Sequence, residues 1–352
     1  MNLNDQKIAY APYSNKLNLP GDRRRFVFYA NERKIKYEKA NINELYDIVY
    51  VTYGSNLSAW ITYKKKNPTV KIIFELIDSY LIQNDSLLTR FKGFIKFITG
   101  KENRFFFNYK SAITEMISLS DAVVCSSDIQ KADILKFNKN VHVSLDYFSN
   151  DISHYKKDYK TNSKIKLVWE GQAYTAANLA LLNEVLGNIK DDVEIYVITD
   201  PSASYYLNLY KVKTKKILKN LKFNYHFVPW QQENISKIIA NCDLAVIPII
   251  PGDTFSWNKP ENKLLFFWEI GIPALTSNTP SYKRVMDIAG INLYCSSADE
   301  WIDKINYFSN SKDSFKKEIA NISSKYIKKY HSKEVVLQKW DFIFESLEIV
   351  SN

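Results

Sequence analysis

The sequence predicts an α/β protein of two doubly wound parallel-sheet domains, with a long helical segment at its C-terminus. Three observations lead there. The chain has 352 residues, more than one hydrophobic core ordinarily serves. Short β-branched and aromatic runs alternate with helical stretches, the pattern of βαβ units and a parallel sheet. The alternation breaks once, in a polar, lysine-rich stretch at 150–163, and then begins again.

In the first half, strands are expected at 7–10, 47–52, 71–74, 122–125 and 142–145, with helices at 24–33, 58–66 and 111–119. In the second half, strands are expected at 164–169, 194–199, 225–228, 244–249 and 273–277. Helices are expected there at 177–186, 205–220, 234–241 and 263–270. The tail at 313–347 spaces Ile319, Tyr326, Trp340, Ile343 and Leu347 as an amphipathic helix does. The expected organisation is a domain at 1–155, a second at 156–330, and a helix at 331–352 packing back towards the first.

Composition narrows the class. Hydrophobic residues make up 46% of the chain and charged residues 24%, which is ordinary for a globular protein. Cys125, Cys242 and Cys295 lie far apart in apolar segments. They suit buried thiols in a reducing compartment rather than a disulfide framework or a structural zinc site. No segment reads as a signal peptide, and no apolar run approaches the roughly 20 residues of a membrane span. A cytoplasmic protein is expected, at the inner face of the membrane if it meets one. The net charge of +10 admits anionic partners. The lysines are scattered and no nucleic-acid-binding pattern accompanies them, so no nucleic acid is expected.

Glycine-rich dinucleotide, P-loop and nucleophile-elbow patterns are absent, which excludes the dehydrogenase, P-loop and serine-hydrolase readings. A pair of doubly wound sheets binds its ligands outside the carboxyl ends of the strands, in the cleft between domains.

The most informative stretch runs from His226 to Tyr282. It contains Val228-Pro229-Trp230, then Cys242-Asp243-Leu244-Ala245-Val246-Ile247-Pro248. Asn258-Lys259-Pro260-Glu261-Asn262-Lys263-Leu264-Leu265 follows, and then Glu269-Ile270-Gly271-Ile272-Pro273. In order and spacing it resembles the donor half of GT-B glycosyltransferases, in particular retaining transferases of the family 4 and family 1 type that assemble bacterial surface polysaccharides. The resemblance covers about 60 residues well and the rest of the second half loosely.

It implies two Rossmann-like domains facing a cleft, and hexosyl transfer from a nucleoside-diphosphate-sugar to a glycan or lipid-linked acceptor. It also implies no metal or other cofactor, and no D-x-D, the usual metal-holding pattern of the other major transferase fold, occurs.

Residue by residue, the helix expected from Pro260 points its N-terminus at a diphosphate. Lys259 and Lys263, one turn apart, add charge-assisted contacts or stay as solvated helix-end charges. Asn258 and Asn262 flank them on the donor side. Glu261 and Glu269 have the family's E-x7-E spacing and stand as catalytic candidates. Counted from the glycine of G-x-P, however, the family's glutamate positions fall on Asn258 and Phe266. Gly171 matches the family's first loop, where Gln172 stands for the usual arginine. Pro229 and Trp230 lie where the base is gripped, Trp230 either stacking on the base or packing beneath it.

In the first half, Arg23, Arg24 and Arg25 open a helix, and bind an acceptor or donor phosphate or form a solvated charge run. Asp78 is the candidate general base, or a helix cap. The basic-aromatic segment 92–110 suits an anionic membrane surface. The substitutions at Gln172 and Phe266 support an alternative, a GT-B relative that binds nucleotide or glycan without turnover.

Overall fold

A computed structural model of the chain describes residues 3–81, 98, 100, 109–160, 164–189, 193–205 and 210–349. The chain divides into two compact units, 1–147 with 333–352, and 148–332.

The first unit is a six-stranded parallel sheet. Its strands are β1 (Ile8–Ala11), β2 (Glu38–Lys39), β3 (Ile48–Thr52), β4 (Lys71–Leu76), β5 (Ala122–Cys125) and β6 (Val141–Val143), in the order β2-β1-β3-β4-β5-β6. Every residue of β1, β3 and β5 is buried, as sheets covered on both faces require. The order reverses between β1 and β3, so the crevice of this unit opens beyond Ala11 and Thr52.

Helix starts follow local chemistry. Asn56 caps Leu57–Lys66 by accepting from the Ala59 amide, and Ser127 caps Asp128–Ile134 by accepting from the Gln130 amide. The helix Lys333–Ile349 belongs to this unit. Its Trp340, Ile343, Phe344 and Leu347 pack with Tyr10, Phe26, Tyr29 and Tyr50 on one sheet face, and the Tyr29 ring stacks on Trp340 at 5.6 Å. The unit boundary falls at Tyr147, eight residues before the expected one, because Tyr147 stacks on Phe28 and donates its amide to Arg24 O.

The second unit holds β7 (Ile165–Glu170), β8 (Val193–Thr199), a ribbon of β9 (Ser202–Tyr205) and β10 (Tyr210–Lys213), β11 (His226–Pro229), β12 (Leu244–Ile247), β13 (Ala274–Ser277) and β14 (Tyr294–Cys295). Six of them form a parallel sheet in the order β11-β8-β7-β12-β13-β14. In sequence order that is the doubly wound 3-2-1-4-5-6 arrangement, with its switch point between β7 and β12.

The helix expected at 205–220 forms only from Thr214, as the short helices Thr214–Ile217 and Leu218–Asn220. Ser202–Tyr205 pairs antiparallel with Tyr210–Lys213, and the helix Thr214–Ile217 follows. The Tyr-Lys-Val-Lys alternation suits a ribbon whose buried face is Ala203 with Val212. Among the described residues, no helix is long and apolar enough to cross a membrane.

Candidate functional site

In the second unit the switch point gathers the ends of β7 and β12. β7 terminates in Trp169 and Glu170, and Gly171 donates its amide to Ile198 O on the neighbouring strand, at 3.2 Å. A Cβ at Gly171 would stand 2.6 Å from Lys263 Nζ and 3.0 Å from the Trp169 ring, so a side chain here displaces the ammonium. The Lys263 ammonium lies 4.8 Å from the centroid of the Trp169 ring, a cation–π arrangement. The sequence reading thus placed Gly171 and Lys263 in one site without the tryptophan that forms its floor.

Lys263 is half-buried on the first turn of the helix Asn262–Ile270. Glu261 is the residue before that turn and its side chain does not cap it, so the first amides point outward with the positive end of the helix dipole. Burial pulls the Lys263 ammonium down to about 8, with Glu170 opposing and Lys259 adding to the fall. An ammonium weakened in this way gains most from an added anion.

Lys259 precedes the helix, so it is not the helical-turn neighbour of Lys263 that the sequence suggested. Its Nζ sits 3.3 Å from Tyr174 Oη and 4.7 Å from the centre of the Phe255 ring. Neither aromatic stood out in the sequence, because Tyr174 follows β7 and Phe255 lies 81 residues further along. Asn258 closes the short helix Thr254–Trp257, donating Nδ2 to Thr254 O at 2.7 Å. Asp253 caps that helix and accepts from Asn178 Nδ2 at 3.3 Å. Asn178 Oδ1 in turn accepts from the Ile250 amide. The 248–258 loop is therefore braced to the segment that follows β7.

The two glutamates separate. Glu261 is 3% exposed and accepts from Arg284 Nη2 at 2.5 Å. Glu269 lies eight residues further, about 12 Å along the axis at 1.5 Å per residue, in the last turn that ends at Gly271. The helix runs from the carboxyl edge of the sheet back to the amino edge, so Glu269 is withdrawn from this site. Phe266, on the family's glutamate position, is a core residue packed edge-on to Phe148 at 5.7 Å.

Gln172 is exposed at the start of the following turn and Asn262 is half-buried beside Lys263. Pro229 ends β11 at the sheet edge, and Trp230 donates its amide to Thr199 O at 3.0 Å, two strands from β7.

In the first unit the arginines divide as well. Arg23 and Arg24 are half-buried, and Arg23 Nε donates to Asn18 O at 3.3 Å. Arg25 is fully buried, its Nε paired with Glu75 and its Nη1 with Ser144 O at 2.9 Å and Asp146 at 3.2 Å. Burial alone would lower its pKa, but Glu75 and Asp146 raise it above the ordinary value. Arg25 is therefore a core cation, not a surface anion binder.

Gly21 and Gly54 give room to Tyr13, whose ring would lie 2.8 Å and 2.7 Å from their added Cβ atoms. Asp78 lies two residues beyond β4, half-buried, and its carbonyl accepts from Gln130 Nε2. The 92–110 segment lies outside the described residues, apart from 98, 100, 109 and 110. Among the described residues, no group of three or more His, Cys, Asp or Glu side chains is placed to hold a metal.

No protein-family model matches the chain, and no curated protein matches it. Solved structures do. HepE of Anabaena, in complex with UDP and glucose, aligns over 97% of this chain and 99% of its own, with 11% identity and a TM-score of 0.61. A glycosyltransferase of Rickettsia africae aligns over 91% and 87%, with 16% identity and a TM-score of 0.55. TarM of S. aureus, with UDP and α-GlcNAc-glycerol bound, aligns over 84% of this chain at 12% identity and a TM-score of 0.55. The chain spans 55% of TarM's length. Two doubly wound parallel sheets in one chain, together with these likenesses, give this protein the GT-B fold.

Proposed function

We propose that this chain is a glycosyltransferase that moves a sugar from a nucleoside-diphosphate-sugar to a glycan or lipid-linked acceptor. The observation that carries the reading is the Lys263 ammonium, held between Trp169 and Gly171 at the switch point and at the uncapped start of a helix. Transfer leaves a nucleoside diphosphate carrying the charge of the broken glycosidic bond. Lys263, the first-turn amides and Lys259 neutralise that charge as it develops. Charge neutralisation by ammonium and amide groups needs no metal ion.

UDP in the HepE and TarM structures makes a uridine diphosphate donor the first to test. In this reading the acceptor belongs to surface polysaccharide synthesis at the cytoplasmic face of a membrane, with retention of anomeric configuration. In this reading Arg23 and Arg24, in the segment after β1, and Asp78, just after β4, meet the acceptor.

The test is thermal stabilisation by UDP, GDP, ADP, dTDP and CMP, with and without magnesium. A ligand at 100 times its dissociation constant adds about 2.7 kcal/mol, which shifts the melting temperature by several degrees. The expected result is one nucleotide that stabilises without magnesium, the shift shrinking in Lys259→Ala and Lys263→Ala. No shift with any nucleotide refutes the donor site.

Phe266 and Gln172 favour a second reading, a binding protein without turnover. Nucleotide binding with no sugar released or transferred from the matching donor would establish it.

A further inference from the structure

The net charge of the chain is unevenly distributed. Residues 201–232 contain six lysines and no aspartate or glutamate, so 32 residues hold six of the ten net charges. The six are Lys211, Lys213, Lys215, Lys216, Lys219 and Lys222, and all are exposed. Among the described residues none of them is ion-paired with an acid.

The fold turns this charge outward. Ala203 and Val212 pair across the ribbon on its inner face, and Ala203 is 3% exposed. Alternation then turns Lys211 and Lys213 outward, opposite Ser204 and Ser202. Thr214 and Leu218 are buried and anchor the next turns, with Thr214 donating its amide to Pro201 O at 2.9 Å. Lys215, Lys216 and Lys219 project from those turns. The ribbon leaves the carboxyl end of β8, the strand next to β7, on the sheet edge where Lys263 lies.

We propose that this lysine arm is a docking surface for the anionic headgroups of a lipid membrane. Its chemistry selects that partner. The arm has no arginine, whose planar fork serves bidentate recognition of phosphate in nucleic acids and of carboxylate in acidic glycans. Strongly hydrated point charges are what a diffuse anionic surface attracts, each lysine near it adding to the affinity. Docking here brings the carboxyl edge of the second sheet towards the lipid.

The experiment is co-sedimentation of the full chain with vesicles of phosphatidylcholine alone and of phosphatidylcholine mixed with phosphatidylglycerol. Binding is expected only to the anionic vesicles, falling as salt rises. The variant Lys211→Gln/Lys213→Gln/Lys215→Gln/Lys216→Gln is expected to lose about tenfold or more in binding. A control that removes the same charge elsewhere, Lys317→Gln/Lys325→Gln/Lys328→Gln/Lys329→Gln, is expected to lose less than about twofold. Thermal melting confirms that both variants fold.

Equal losses in the two variants, or no binding to anionic vesicles, overturn the proposal. Binding to heparin or RNA that depends on the arm, with none to vesicles, overturns it in favour of a polyanion. Nucleotide stabilisation is measured on the same samples, so failure of the arm and failure of the transferase reading are distinguishable.

Discussion

Raising the pH through the titration of Lys263 should weaken nucleotide binding through this one residue. Its ammonium lies at about 8 in the folded protein, against an ordinary lysine value of 10.5. A bound diphosphate replaces the lost hydration and returns the group to at least its ordinary value, so binding requires the protonated form. At pH 7 that form is about nine-tenths populated and at pH 9 about one-tenth, so affinity falls about tenfold between them. Over the whole interval from 8 to 10.5 the loss approaches about 300-fold.

The stability of the free protein moves the other way. Below pH 8 the ammonium is charged in both folded and unfolded states, and its burial destabilises the fold. Between 8 and 10.5 the unfolded chain binds the extra proton, so stability rises with pH by up to about 3 kcal/mol.

The assay is isothermal titration of the stabilising nucleoside diphosphate at pH 7 and pH 9, on wild type and Lys263→Met. Taking the difference between the proteins cancels titration of the nucleotide itself. Lys263→Met should bind about 10- to 100-fold more weakly at pH 7, as expected for loss of one charge-assisted contact, and should lack the tenfold fall. An identical pH dependence in the two proteins would refute the placement of the diphosphate on Lys263.

Three further outcomes follow from the structure. Gly171→Ala sets a methyl group 2.6 Å from Lys263 Nζ, a flexible end that can swing away. Nucleotide affinity should drop about tenfold by calorimetry, with stability in urea within about 1 kcal/mol of wild type. Arg284→Met strips the partner from the buried Glu261 carboxylate. Because Arg284 is itself partly exposed, the cost should be about 1–3 kcal/mol in urea unfolding, and Glu261→Gln in the same background should recover most of it. In the first unit, burial and Lys131 lower His142 to about 4. The unfolded chain therefore takes up its proton first as pH falls from 6.5 to 4, and up to about 3 kcal/mol of stability is lost across that window. His142→Gln should flatten this part of the pH profile of the urea midpoint, and an unchanged profile would exclude His142 as its source.

Much of the architecture was legible in the sequence, because buried parallel strands are short continuous apolar runs that local composition reveals. The runs at 48–52, 122–125 and 244–247 are such strands, and the start of the helix Asn262–Ile270 was placed within two residues. Within 205–220, helix was expected where 210–213 form a strand, because that ribbon depends on pairing with residues 202–205, while 214–220 is helical as expected. That pairing is a tertiary fact that Tyr-Lys-Val-Lys states only weakly. Gly171 and Lys263 could be singled out because a backbone turn and a helix start are local features, and the structure sets them side by side.

The sequence by itself determined the strand–helix alternation, the helix-start chemistry at 258–263 and the excess of lysine, all of which arise from neighbours along the chain. Tertiary structure alone decided which charges are available. Arg25 and Arg23 are two residues apart, yet Arg25 is sealed against Glu75 while Arg23 reaches a loop carbonyl. Glu261 and Glu269 share a spacing that looks functional in one dimension. A helix that crosses the sheet from edge to edge leaves Glu261 beside the site and carries Glu269 away. Burial and the direction of a helix are properties of packing between segments distant in sequence, and no local pattern encodes them.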